Sequence, residues 1–195
     1  MDPELNPVPG AGRYTPATPD APDLLYDRDV RTRVRLIAAD RMLVTAHLHD
    51  DTNGPTGFAT VHDMTIEAVV SVPDLEILSV SSAMANHPHG TCPMTLLQLD
   101  ALVGMRIAGG YMGQVRRMFG SNRGCNHLHA LAQQIGTVSA LTFASRLAHD
   151  DPSMQELPAP QWYRRVVDRE PRVVNSCVIW HEDGDLYRRL TELES

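Results

Sequence analysis

The feature that most limits what this chain can fold into is a change of hydrophobic period near residue 90. Before it, apolar side chains recur at every second position. Val34, Leu36 and Ala38 alternate with Arg33, Arg35 and Ile37, and "MLVTAHLHD" sets Val44, Ala46 and Leu48 against Thr45, His47 and His49. In "TVHDMTIEAVV" (60–70), His62, Met64, Ile66, Ala68 and Val70 share one face, the period-two signature of a half-buried strand. "LEILSVSSA" (75–83) reads as a fourth strand, with "DDTNGPTG" (50–57) and "SVPD" (71–74) as turns. After "NHPHGTCP" (86–93) the spacing becomes helical. Helices are expected over 94–104, 109–119 and roughly 126–148. Tyr111, Met112, Val115, Met118 and Phe119 form the stripe of the second, and Leu128, Leu131, Ile135, Val138 and Leu141 face the core from the third. Strands first and helices after favour α+β over an alternating parallel fold: an antiparallel sheet of about four strands packed against about three helices.

Residues 1–24, rich in proline, read as a disordered or extended arm, and 25–195 as a single α+β domain. Within it, "DDPSMQELPAP" (150–160) reads as a linker to a C-terminal strand, "RVVNSCVIW" (172–180), and a short helix near 185–194. No apolar run approaches the roughly 20 residues of a membrane helix, and the N-terminus lacks the pattern of a signal peptide. The expectation is a cytoplasmic protein with no membrane partner.

The formal charge of −7 argues against nucleic acid as a partner. The basic clusters Arg116, Arg117, Arg123 and Arg164, Arg165 are short and read as solvated helix faces. All 17 basic residues are arginine. The missing lysine excludes Schiff-base chemistry and a P-loop.

Three cysteines, Cys92, Cys125 and Cys177, are an odd and widely spaced set, which argues against a disulfide framework. Cys177, in an apolar segment, is expected in the core. Cys125 and His127 stand in "RGCNHLH" (123–129) at a helix start, where unpaired N–H groups favour a thiolate. His62 opens the buried face of a strand, and Cys92 lies just before a helix. Together His62, Cys92, Cys125 and His127 make a tetrahedral set suited to zinc or to iron or iron–sulfur ligation. His87, His89 and Asp63 are candidates for moving a proton beside it. His129 lies one turn beyond Cys125 on the same helix face.

"VHDMTIEAVV", the Pro88–Cys92 segment and "LVGMRIAGGYMGQVRRMFGSNRGCNHLHAL" resemble a bacterial family of unknown function, DUF2889, over roughly residues 25–150. The hallmark of that family is a Gly-Cys-Thr-His-Leu stretch. Here Asn126 replaces its threonine, and Tyr111 stands for a phenylalanine. The order of elements also resembles the NifU/IscU scaffolds and their zinc-holding SufU relatives, which implies an IscU/SufU-like fold. By position that resemblance implies His62 for their aspartate, Cys92 for the middle cysteine and Cys125 for the last. Thr60 and Val61 lie where the first cysteine would be, a departure that points to a fixed metal centre instead of a transfer scaffold.

Three readings remain open. One is a zinc or iron domain. A second is an enzyme: a metal-dependent hydrolase or lyase acting on a small organic acid or acyl thioester, or a metal-free one using Cys125 with a histidine base. The third is a non-catalytic interaction module.

Overall fold

The computed structural model describes residues 24–54, 57–72, 74–178 and 180–192, so the arm expected over 1–24 lies, Leu24 apart, outside the described residues. The chain divides into two compact units, meeting in sequence at Leu141 and Thr142. No helix among the described residues is long and apolar enough to cross a membrane.

The first unit is an antiparallel meander followed by helices, an α+β arrangement. Strands β1 (Tyr26–Ala38), β2 (Arg41–Gly54), β3 (Gly57–Ser71) and β4 (Ile77–Asn86) lie side by side in chain order. The period-two pattern has the consequence expected of it. Met42, Val44, Ala46 and Leu48 of β2 and Met64, Ile66, Ala68 and Val70 of β3 are all buried on one face. Against that face pack Leu99, Leu102, Val115, Phe119, Leu128 and Ile135, forming one core with the sheet. Each large side chain fully buried there contributes about 1.5–3 kcal/mol of transfer free energy.

The segment 50–57, expected as a loop, is mostly strand. β2 continues through Gly54 and β3 starts at Gly57, whose φ of +97° suits the tight reversal. Polar composition suggested a loop, but Asp50 is held in the ladder by partners on both neighbouring strands.

The helix expected over 94–104 is a 3-10 helix, Cys92–Leu102. Such a run is long for this form, but Leu96, Leu99 and Leu102 recur every third residue and so fall on one edge, all three packed into the core. Helix α1 (Tyr111–Phe119) buries Tyr111, Val115 and Phe119, and α2 (Asn126–Asp150) buries Leu128, Leu131 and Ile135. Leu141, expected to face the core, is 70% exposed at the last residue of this unit.

Two glycines permit the close packing of these helices. A Cβ on Gly136 would stand 2.4 Å from the Tyr111 ring, and one on Gly124 would stand 2.7 Å from Gln98 Oε1 and 3.1 Å from Phe119 Cα. The Tyr111 hydroxyl donates to the Ala132 carbonyl at 2.9 Å, fixing the same crossing. Gly124, with Gln98 Nε2 donating to the Arg123 carbonyl at 2.9 Å, sets where α2 begins.

The second unit holds the end of α2, α3 (Ala159–Arg169) and α4 (Asp185–Glu192), around Leu147, Met154, Val166 and both tryptophans, Trp162 and Trp180. The expected linker 150–160 contains a 3-10 turn, Pro152–Glu156, that buries Met154. The strand expected over 172–180 is absent among its described residues. Pro171–Val173 forms a 3-10 turn, Asn175 takes a φ of 62°, and the Asn175 and Trp180 amides bond to Trp180 and Cys177 carbonyls within the segment. Local turns thus use the groups a neighbouring strand would need, and Cys177 is exposed where a core residue was expected.

Two predictions follow from this packing. Gly136→Ala gains helix propensity but drives a methyl into a buried ring, so urea denaturation should show a net loss of about 1–2 kcal/mol. Glu170 is buried, and the Arg172 guanidinium beside it holds its carboxyl below the ordinary value of 4.5. A lowered acid contributes stability above its unfolded-state value, and that contribution is lost as pH falls through the folded-state value. Tryptophan fluorescence should therefore show the second unit weakening on acidification below about pH 4.5, with a shallower dependence in Glu170→Gln.

A buried aspartate, two histidines and a cysteine

Asp50 continues the phase of Met42, Val44, Ala46 and Leu48, so its side chain enters the core face at the far end of β2, where its exposure is 0%. The register sets Arg28 of β1 and His62 of β3 directly across from it. The result is a row of three polar side chains spanning three strands. A bulge just beyond, where Asp51 pairs with Thr60, leaves Val61 unpaired and shifts the register by one residue before the ladder resumes toward Gly54 and Gly57.

Arg28 grips Asp50 as a fork, Nε donating to Oδ1 at 2.6 Å and Nη2 to Oδ2 at 2.7 Å, while Nη2 also donates to the Tyr26 hydroxyl at 3.0 Å. His62 Nδ1 lies 2.9 Å from Asp50 Oδ2. Burial alone would raise the Asp50 pKa, but hydrogen bonds from Arg28, Tyr26 and His62 outweigh it and bring the value down to about 2. Asp50 is thus a buried anion near neutrality. The same burial, reinforced by Asp50, pushes the Tyr26 hydroxyl up.

His127, on the first turn of α2, covers this row. Its Nε2 is 3.7 Å from Asp50 Oδ2, and its ring lies 3.9 Å from that of His62 at a tilt of 37°. Burial lowers the His127 pKa, and the neighbouring His62 and Arg28 lower it further. The imidazole is therefore held neutral with a lone pair to offer. On its other side, Nδ1 is 3.6 Å from Cys125 Sγ. Asp50, His62 and His127 each offer a donor atom within 4.8 Å of the others. For metal bonds of about 2.1 Å, the edge between donors of a tetrahedron is about 3.4 Å. The observed separations of 2.9 and 3.7 Å bracket that value.

Of the four ligands expected from the sequence, His62 and His127 belong to this set, and Cys125 adjoins it through His127. Cys92 is half-buried at the start of the 3-10 helix and lies outside it. His87 and His89 stand together after β4, His87 Nδ1 donating to the His89 carbonyl at 3.0 Å. His87 also lines a cavity of about 500 Å³ with Thr60, Val61, Asn86 and Pro88. Asp63, next to His62 in a strand, points to the opposite face. There it meets His47 Nε2 at 2.9 Å and His49 Nδ1 at 3.4 Å, and the bond from His47 chiefly lowers its pKa. His49 also reaches Asp51 at 3.2 Å, so a second imidazole–carboxylate network occupies that face.

Asp50, Arg28 and Tyr26 were not read as site residues. The available signal was phase: Asp50, two residues beyond Leu48, continues the buried row of β2, whereas Arg28 lies on a strand with no buried row and is placed by the register alone. Removing Arg28 leaves a buried carboxylate without its fork. Arg28→Ala should cost about 2–4 kcal/mol in chemical denaturation, less than for a pair buried on both sides because Arg28 keeps contact with water. The exposed pair Arg188–Asp185 should be worth under about 1 kcal/mol in the same assay.

Comparison with known proteins agrees with the motif reading over most of the first unit. No curated protein and no solved structure matches the chain. A family model described as "Protein of unknown function (DUF2889)" matches residues 26–141, covering the whole sheet, the 3-10 helix, α1 and the start of α2. The chain belongs to the DUF2889 family.

Proposed function

We propose that this protein binds one transition-metal ion, zinc or iron, through Asp50, His62 and His127, with Cys125 as the neighbouring fourth donor. The observation that carries this reading is the compact donor set, two imidazoles and one carboxylate at ligand-to-ligand distances. Two histidines with one carboxylate and open positions suit non-haem iron, while addition of the Cys125 thiolate gives a mixed set suited to zinc. Arg28 would hold Asp50 from behind, as outer-shell partners of metal ligands do.

Bound there with a position left open, the metal would supply Lewis acidity or an activated water. The chain's own residues would do the rest. His87 has Nδ1 engaged by the His89 carbonyl, which leaves Nε2 to carry a proton at the edge of the cavity. Its substrates would be small organic acids or acyl thioesters, undergoing hydrolysis or elimination.

One observation favours a metal-free reading. Cys125 Sγ, His127 and Asp50 lie in series at 3.6 and 3.7 Å, the order of a thiol nucleophile, its base and an orienting carboxylate.

Elemental analysis of the purified full chain separates the two. Metal binding predicts about one equivalent of zinc or iron per chain, with affinity lowered by more than about 100-fold in His62→Ala and in His127→Ala. A metal-free wild type that takes up no zinc or iron on reconstitution overturns it. The thiol reading then predicts Cys125 alkylation that slows in His127→Ala.

A further inference from the structure

We propose that the concavity formed by the end of α1, the turn after it and the start of α2 binds a phosphoryl group, and that its ligand is a small organic phosphomonoester. The inference uses residues outside the Asp50 site and stands whether or not that site holds a metal.

Arg116 and Arg117 close α1, Arg123 ends the 3-10 turn Ser121–Arg123, and Asn126 opens α2. With Ser121 and His129 they line a concavity of about 480 Å³. A basic cluster expected from the sequence to be a solvated helix face thus surrounds one space. Arginines elsewhere, such as Arg28, Arg146 and Arg188, face carboxylates. Among the described residues no carboxylate pairs with any of these three, although the chain carries 24 acids against 17 basic residues. The C-terminal dipole of α1 accounts for Arg116 and Arg117. Arg123 joins them from beyond the helix, its Nη1 donating to the Arg117 carbonyl at 2.9 Å, which keeps it beside the other two.

Two further features border the same space. His129 lines it, and its Nε2 is enclosed without a hydrogen-bond partner. The 25-residue helix α2 begins here, bringing unpaired backbone N–H groups and the positive end of its dipole.

Charge and shape choose among anions. Three guanidinium groups offer more donors than one carboxylate can accept, whereas a phosphoryl group carries nearly two charges and three acceptor oxygens. The concavity, about 480 Å³ and open to solvent, has room for a small organic remainder beside the phosphoryl group. The first turn of α2 also sends His127 to the donor set, so less than one helical turn separates the residues serving the two sites.

The test is calorimetric titration of the full chain with inorganic phosphate, phenyl phosphate and malonate, at ionic strength held constant with chloride. Saturable binding of phenyl phosphate is expected, tighter than inorganic phosphate and much tighter than malonate. Arg117→Gln and Arg123→Gln should each weaken it at least about tenfold, the loss of one charge-assisted contact. Both arginines are exposed, so these variants keep the fold, which circular dichroism verifies. His62→Ala should bind phenyl phosphate as the wild type does while losing metal, which keeps this site's outcome apart from that of the donor set. Absence of saturable binding, unchanged affinity in the arginine variants, or malonate binding as tightly as phosphate overturns the site. Equal affinity for phosphate and its phenyl ester overturns the organic ester as ligand.

Discussion

A carboxylate without access to water is the constraint around which this end of the molecule is arranged. An ionised acid can be buried only if charge and hydrogen bonds replace the water it loses. Arg28 and His62 supply them, one from each neighbouring strand. The need falls hardest on β1. That strand lies at the sheet edge and places few apolar groups in the core, with Val30 and Leu36 both largely exposed. Beside the backbone ladder that pairs it with β2, the guanidinium fork ties down its first half, so satisfying Asp50 also helps to dock β1.

The same arrangement explains why the site draws on so much of the chain. Arg28, Asp50 and His62 come from three strands, and Cys125 and His127 come from the residue before α2 and its first turn, placed by Gly124 and Gln98. Rigid elements aim each side chain and the surroundings set its charge: hydrogen bonds keep Asp50 anionic against its burial, and burial keeps His127 neutral. An anion beside a neutral imidazole is the form in which such groups hold metals or accept protons.

Period was the most legible property of the sequence. The four strands, α1 and α2 follow from it because tertiary packing there agrees with local pattern. Asp50 was hidden because an acid followed by Asp, Thr, Asn and Gly has the composition of a turn, and only cross-strand partners overrule composition. Cys177 failed in the opposite sense. "VVNSCVIW" has an apolar rhythm, but with no strand to pair against, its backbone closes on itself in turns and leaves Val178 83% exposed. Helix α3 was concealed by Pro158 and Pro160 at its start, which give the segment the composition of a linker, although Trp162, Tyr163, Val166 and Val167 recur at helical spacing. The two histidines of the site were legible from phase and motif, but their partner was not, since pairing between strands leaves no trace in local spacing.

Strand alternation sends His62 and Asp63 to opposite surfaces of a sheet one residue thick. Were β3 to slide by a single position along β2, each would arrive at the surface meant for the other. A carboxylate would then confront Asp50, while an imidazole meant for Arg28's partner would stand among His47 and His49. A slip of this kind sets two carboxylates face to face on one surface and breaks the His62–Asp50 and His47–Asp63 contacts together, so the polar groups of the candidate site also police how the strands align.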